Sequence, residues 1–113
     1  MTPILSVRFY CSHAGHEPVR DWLTADVSAA ARKAIGADIK TVQWGWPIGM
    51  PVVRKMQPGL WEVRSKIPEG IARVLFTVVG AEMVLLHGFV KKSQATPKTD
   101  LALAISRMKE VRT

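Results

Sequence analysis

Hydrophobic and polar residues alternate most regularly between residues 59 and 97. In the first part of this stretch, apolar and charged residues occupy alternate positions. Trp61 and Val63 are predicted on one face, and Glu62, Arg64 and Lys66 on the other. A period of two predicts a β-strand with one face on a core. Residues 82–90 are apolar at both sets of alternate positions, which predicts a strand in the middle of a sheet.

A second alternating strand lies between these two. Its predicted core face consists of Ala72, Val74, Phe76 and Val78, and its other face of Arg73, Leu75 and Thr77. Pro68-Glu69-Gly70 and Gly80-Ala81 are short turn sequences, so consecutive strands are predicted to be antiparallel neighbours. This arrangement predicts an exposed basic surface formed by Arg64, Lys66 and Arg73.

The first half of the chain predicts a strand and two helices. Residues 4–10 are rich in β-forming side chains, and Pro18 suits the first turn of a short helix over residues 18–23. A second helix is expected to begin at an N-cap, Thr24 or Asp26. Its apolar positions recur at helical spacing and predict packing on the sheet: Ala31, Ile35, Ile39 and Val42.

Glycine and proline residues between positions 45 and 51 end the second helix. Residues 52–56 are predicted to be a strand, and Thr96 and Pro97 to cap and start a final helix with an apolar stripe of Leu101, Ile105 and Met108. Strands and helices are therefore segregated along the chain. The predicted fold is α+β, a small antiparallel sheet with two N-terminal helices and a C-terminal helix, in one domain over residues 1–113.

Positive charge is concentrated in the second half of the chain. The net charge is +7 over 113 residues; residues 1–53 hold five basic and four acidic side chains, and residues 54–113 hold eleven and five. This asymmetry favours a polyanionic partner, most simply nucleic acid. A single cysteine and a start without signal-peptide or membrane-span character predict a cytoplasmic protein.

Familiar catalytic motifs are absent from the sequence, since it has no phosphate-binding glycine loop, GxSxG, HExxH or CxxC. Cys11 is interpreted as a small buried side chain. Metal-ligand residue types cluster in one loop at Cys11, His13, His16 and Glu17, but without a second cluster we expect neither a metal nor a cofactor.

The remaining candidates for chemistry are cationic. RNA cleavage by its own 2′-hydroxyl needs a base, an acid and positive charge at the phosphate. Arg64 and Arg73 suit phosphate binding because a guanidinium binds two oxygens together. Adjacent lysines can lower each other's pKa and handle a proton, which points to Lys91 and Lys92. Glu62 is either a general base or an ion partner of the arginines; His87 is either catalytic or a partly buried structural residue.

These residues also carry a resemblance to a known family. The segments GLWEVR, ARVLF and HGFVKKSQATP, together with VRFY, EPVRDWL and PVVRKM near the front, resemble the HigB-like, phage-derived branch of the RelE/ParE toxin superfamily. The resemblance extends over essentially the whole chain. It implies the toxin of a type II toxin–antitoxin pair and a small antiparallel sheet packed on two N-terminal helices.

The resemblance further implies a metal-independent endonuclease that cuts mRNA in the ribosomal decoding site, held inactive by a HigA-like helix-turn-helix antitoxin. Arg73 matches an arginine placed against the scissile phosphate, and Arg64, Lys91 and Lys92 match other basic positions. Glu62 stands where some RelE-type enzymes have a lysine, and nothing aromatic follows Phe89, so the acid and base stay open.

Two alternatives remain beside the nuclease. One is a non-enzymatic, ParE-like inhibitor of DNA gyrase, and the other is a degenerate toxin that only binds its antitoxin or RNA. If the protein is the nuclease, Arg54, Lys55 and Lys66 are expected to hold the RNA backbone. The apolar segment containing Trp44, Trp46 and Ile48 is the expected antitoxin surface.

Overall fold

The computed structural model of the chain describes residues 2–91 and 95–112, so the predicted site residue Lys92 lies outside the described part. A π-helical turn, Trp22–Asp26, continues the first helix. The elements are β1 (Ser6–Phe9), α1 (Pro18–Asp21), α2 (Ala29–Gly45), β2 (Val53–Gln57), β3 (Leu60–Ile67), β4 (Gly70–Val79), β5 (Glu82–Lys91) and α3 (Lys98–Arg112).

The start of α2 differs from the prediction. Thr24 and Asp26, the predicted N-caps, lie in the π-helical turn, and Ser28 caps α2 by accepting a hydrogen bond from the Ala31 N–H at 3.1 Å. The helical segment after Pro18 is longer than predicted, and the chain becomes extended only at Val27. Serine is a favoured N-cap because its oxygen satisfies one of the unpaired N–H groups of the first turn.

The sheet has five strands in the order β1-β5-β4-β3-β2. Strands β2 to β5 pair as consecutive antiparallel neighbours, as predicted. β1 pairs with β5 in parallel, so the sheet is mixed rather than purely antiparallel. β5 therefore has a neighbour on each side, in agreement with its apolar character on both faces.

Helices cover both faces of the sheet. The face that packs against α1 and α2, called the α2 face, buries Ile35, Ile39 and Val42 of the predicted stripe in one core with Val74 and Phe76. Ala31, the fourth residue of the stripe, is buried as well. The opposite face, the α3 face, buries Leu75, with Leu60, Val84 and Leu86, under Ala104 and Met108. The predicted division of β4 into two faces is confirmed, and so is the α+β class.

The segment after α2 packs mainly inward. Trp46 makes edge-to-face contacts with Trp61 and Phe76, with ring centroids 4.9 and 5.6 Å apart. Ile48 is partly buried against the same core, whereas Trp44 is 41% exposed. Of the predicted antitoxin surface, Trp44 is thus the accessible tryptophan.

Candidate functional site

Polar and charged residues collect at one end of the α3 face, where β3, β4 and β5 run side by side. Directly paired residues on neighbouring strands share a face. Two rows follow from the register: Arg64–Arg73–Phe89, and beside it Lys66–Ile71–Lys91. A third row is Glu62–Leu75–His87. We call this region the polar end of the α3 face.

Glu62 and Arg73 form a buried ion pair within the polar end. Neither side chain is exposed, and Arg73 Nη1 lies 3.6 Å from Glu62 Oε1. The Thr96 hydroxyl donates to Glu62 Oε2 at 2.6 Å and accepts from Arg73 Nη1 at 3.3 Å. Thr96 therefore fastens the chain just before α3 to two strands of the sheet.

Burial lowers the pKa of the Arg73 guanidinium from its ordinary value. Glu62 acts in the opposite direction, and the positive charges of Arg64 and Arg54 add to the lowering. Arg64 also approaches the same carboxylate, with Nε 3.9 Å from Glu62 Oε1. The buried carboxylate of Glu62 thus lies between two arginines, which favours the ion-partner interpretation of Glu62.

The prediction that Arg73 is exposed is wrong. The sequence placed it on an exposed basic surface, but its side chain is fully buried beside Glu62 and Thr96. The strand faces were predicted correctly, and the error concerns what covers the α3 face. Alternation identifies which residues share a face but gives no information about the segment that packs over it.

His87 forms the second polar pair of this region. Its Nε2 lies 2.6 Å from Oδ1 of Asp100, which stands in the first turn of α3. Both side chains are partly buried, and the imidazole stacks on the Phe89 ring at 5.7 Å. In a neutral imidazole that donates Nε2–H to this carboxylate, Nδ1 carries the lone pair, and that form of the pair is suited to proton transfer.

Basic side chains surround these pairs. Lys66 is exposed and Lys91 is half-buried, one at each end of the same row. Arg54 lies opposite Glu62 in the register of β2 and β3, so its side chain is on the α3 face at the edge of the sheet. Lys55, grouped with these two residues by the sequence, pairs with Trp61 and points to the α2 face, so it does not belong to this cluster.

Two residues of the site were missed by sequence reasoning. Thr96 was predicted as a helix cap, whereas its hydroxyl bonds Glu62 and Arg73. Asp100 was given no role, although it holds His87. The only sequence signal for Asp100 was an acidic residue in the first turn of a helix, which the helix dipole alone explains.

The N-terminal loop corrects another prediction. Cys11 is exposed rather than buried, because it follows β1 in a loop at the surface. Within residues 2–91 and 95–112, no three His, Cys, Asp or Glu side chains gather as metal ligands would. In the same residues, no helix combines the length and apolar character needed to span a bilayer.

Most of the chain matches a known protein family. The family model described as phage derived protein Gp49-like (DUF891) matches residues 21–109. Because the match covers most of the chain, the protein belongs to the Gp49-like family, a phage-derived family of toxin–antitoxin toxins. Membership suggests an antitoxin as partner. No curated protein matches the chain significantly.

Proposed function

We propose that this protein is a toxin that cleaves mRNA in the ribosomal decoding site without a metal and is held inactive by a HigA-like helix-turn-helix antitoxin. The observation that supports cleavage most directly is the His87–Asp100 pair beside a group of cationic side chains. Family membership supports the toxin role.

The reaction is an internal transfer within the RNA chain. A base removes the proton of a 2′-hydroxyl, whose oxygen attacks the adjacent phosphorus. The P–O bond to the next nucleotide breaks, and an acid protonates the departing 5′-oxygen. The products are a 2′,3′-cyclic phosphate and a 5′-hydroxyl, and no other reactant is consumed.

His87 is the proposed base, with Asp100 fixing the imidazole through Nε2. Lys91 and Lys92 are the proposed source of the proton for the leaving oxygen or of added charge. Arg64 and Lys66 bind phosphate oxygens, and Arg54 binds the RNA backbone further along the edge. A precise fit depends on rigid strands, which hold these groups in fixed rows.

Arg73 takes a different place from the one implied by the resemblance. Its burial beside Glu62 and Thr96 keeps it from a phosphate in this conformation, so it contributes positive potential behind Arg64. Direct contact of Arg73 with the scissile phosphate requires Thr96 to move away from it.

The test is a cell-free translation reaction on a defined message, with new RNA ends mapped. Cuts are expected only during translation and in fixed phase with the reading frame. His87→Ala should slow cleavage by roughly 10²-fold or more because the proposed proton acceptor is lost. Lys66→Ala should weaken it, whereas Lys55→Ala, an exposed lysine on the other face, is the matched control.

Uncut RNA from a demonstrably folded sample would refute the nuclease. Inhibition of gyrase in a supercoiling assay would then identify the protein as a ParE-like inhibitor. Harmless expression with neither effect would identify a degenerate toxin. Equal losses for Lys55→Ala and Lys66→Ala would show that the polar end of the α3 face is not the RNA site.

A further inference from the structure

Within residues 2–91 and 95–112, one edge of the sheet is only half covered by a paired strand. β2 pairs with β3 from Leu60 to Val63. In the part of the chain that the structure describes, the last backbone hydrogen bond on this side runs from the Arg64 N–H to the Val52 carbonyl, at 2.9 Å. Among the described residues, no strand pairs with the outer edge of β3 beyond that point, where Ser65, Lys66 and Ile67 continue to pair with β4.

The backbone of Lys66 faces this open edge. The N–H and C=O of one strand residue point to the same side, and the direction alternates along the strand. Because the Arg64 N–H points toward Val52, away from β4, the Lys66 N–H and C=O point the same way. An added strand would thus find a donor and an acceptor two residues beyond the last bond to β2.

A cavity lies on each side of the open edge. The one on the α3 face has a volume of about 210 Å³ and is lined by Met50, Pro51, Arg64, Lys66 and Ile71. The one on the α2 side has about 420 Å³ and shares Pro51 and the two basic residues. It is closed by Ala34, Ala37, Asp38 and Val52.

The two cavities share Pro51, Arg64 and Lys66, and they differ in the rest of their lining, which includes an acidic residue only on the α2 side. Successive side chains of a strand point to opposite faces. On the α3 side they would meet Arg64 and Lys66, which attract carboxylates. On the α2 side they would meet alanine, proline and valine beside the same two basic residues, and the carboxylate of Asp38 disfavours another carboxylate there.

We propose that the open edge of β3 accepts an extended segment of the antitoxin in which acidic and apolar residues alternate. A second copy of this chain is a poor occupant, because it would bring its own +7 charge against Arg64 and Lys66. The segment would cover two of the residues proposed to bind RNA and thereby block the substrate. Naming the antitoxin and this blocking effect rests on the proposed function; the strand addition itself does not.

The probe is a fluorescent peptide of about six residues that alternates Glu and Val. Anisotropy with the full chain should show saturable binding, and hydrogen exchange should show slowed exchange of the Lys66 amide in the complex. Controls are an alternating Lys and Val peptide and a peptide of the same composition with Glu and Val in separate blocks. Neither control is expected to bind with comparable affinity.

Three variants locate the site. Lys66→Glu should weaken binding by about tenfold or more, because it replaces attraction with repulsion. Ala37→Leu should also weaken it by filling the α2-side cavity, and leucine keeps the helix intact. Lys55→Glu is the control, because it makes the same charge change at an exposed lysine of β2 that points to the α2 face. It should alter the affinity for the peptide by no more than about twofold.

Several results would overturn the proposal. They are equal binding of the block peptide, an unchanged affinity in Lys66→Glu, and no slowing of Lys66 exchange at saturation. An oligoribonucleotide that slows Lys66 exchange, in the absence of peptide binding, would assign the edge to RNA instead. A protein that binds the peptide and leaves mRNA uncut would refute only the nuclease. One that cuts mRNA and ignores the peptide would refute only the strand addition.

Discussion

The two faces of the sheet are built on different principles. The α2 face is an apolar core in which Trp46, Trp61 and Phe76 pack against one another and against aliphatic side chains. The α3 face combines an apolar region with a fully buried ion pair, Glu62 and Arg73. Apolar burial tolerates many arrangements, whereas a buried charge is stable only next to its partner. The α3 face is therefore the more sensitive of the two to single polar changes.

Removing the buried carboxylate should give the largest effect. Glu62→Ala takes the negative charge from beside a buried guanidinium, so we expect a loss of about 3–5 kcal/mol in the free energy of unfolding. Urea denaturation measures it. Replacing both Glu62 and Arg73 by leucine should cost less than the sum of the two single leucine changes. Additive costs would mean that the two charges are not coupled.

The exposed pair of Arg8 and Glu82 is the control, and Glu82→Ala should change stability by about 1 kcal/mol or less.

The α2 face should respond instead to volume. A Cβ added at Gly88 would collide with the Trp22 ring, so Gly88→Ala is expected to destabilise the protein by about 1–3 kcal/mol. Thermal or urea unfolding measures this loss. Combining it with Trp22→Leu should recover part of the loss if the collision is the cause. Gly36→Ala is the control, because nothing lies near an added Cβ there and alanine favours the helix.

Thr96 tests how α3 is joined to the polar network. Thr96→Val keeps the shape of the side chain but removes the hydroxyl that donates to Glu62 and accepts from Arg73. We therefore expect the free energy of unfolding to fall by about 1–3 kcal/mol. Thr96→Ser retains the hydroxyl and should lose less. Hydrogen exchange should then be faster at the start of α3 than in α2. A uniform increase over the whole chain would show that Thr96 has no local role.

Tyr10 gives the smallest predicted effect, which appears only in alkali. Burial, followed by the hydrogen bond to Glu110, raises the pKa of its hydroxyl above the ordinary value of 10.0. The neutral hydroxyl is favoured in the folded state, so Tyr10 stabilises the fold fully below pH 10.0. This contribution to the free energy of unfolding is lost as the pH rises through the pKa of the folded state. The difference in unfolding free energy between the wild type and Tyr10→Phe should therefore shrink above pH 10.0. A constant difference would contradict the shift.

The strands and most of the helices were predictable because local patterns determine them. A period of two identified the faces of β3 and β4, and short turns made these strands antiparallel neighbours. The face shared by Arg64 and Arg73 followed from the same pattern, and the register confirms it. Helical spacing likewise identified the stripe that α2 buries.

The candidate site was only partly predictable, because it depends on contacts between distant segments. Asp100 meets His87 and Thr96 meets Glu62 only after α3 has packed across the sheet. Lys55 lies apart from Arg54 and Lys66 because adjacent strand residues face opposite sides, so charge alone did not identify which basic residues share a face.

The sequence by itself determined the α+β class, the strand faces and the basic character of the second half, since each depends on residue type and short-range periodicity. Tertiary structure alone decided that β1 joins β5 in parallel and that Arg73 is buried rather than exposed. It also decided that no strand of residues 2–91 and 95–112 covers the end of β3 beyond β2. The physical reason is that burial, pairing and open edges depend on which segments pack together. The residue pattern of one segment does not predict which other segments will pack over it.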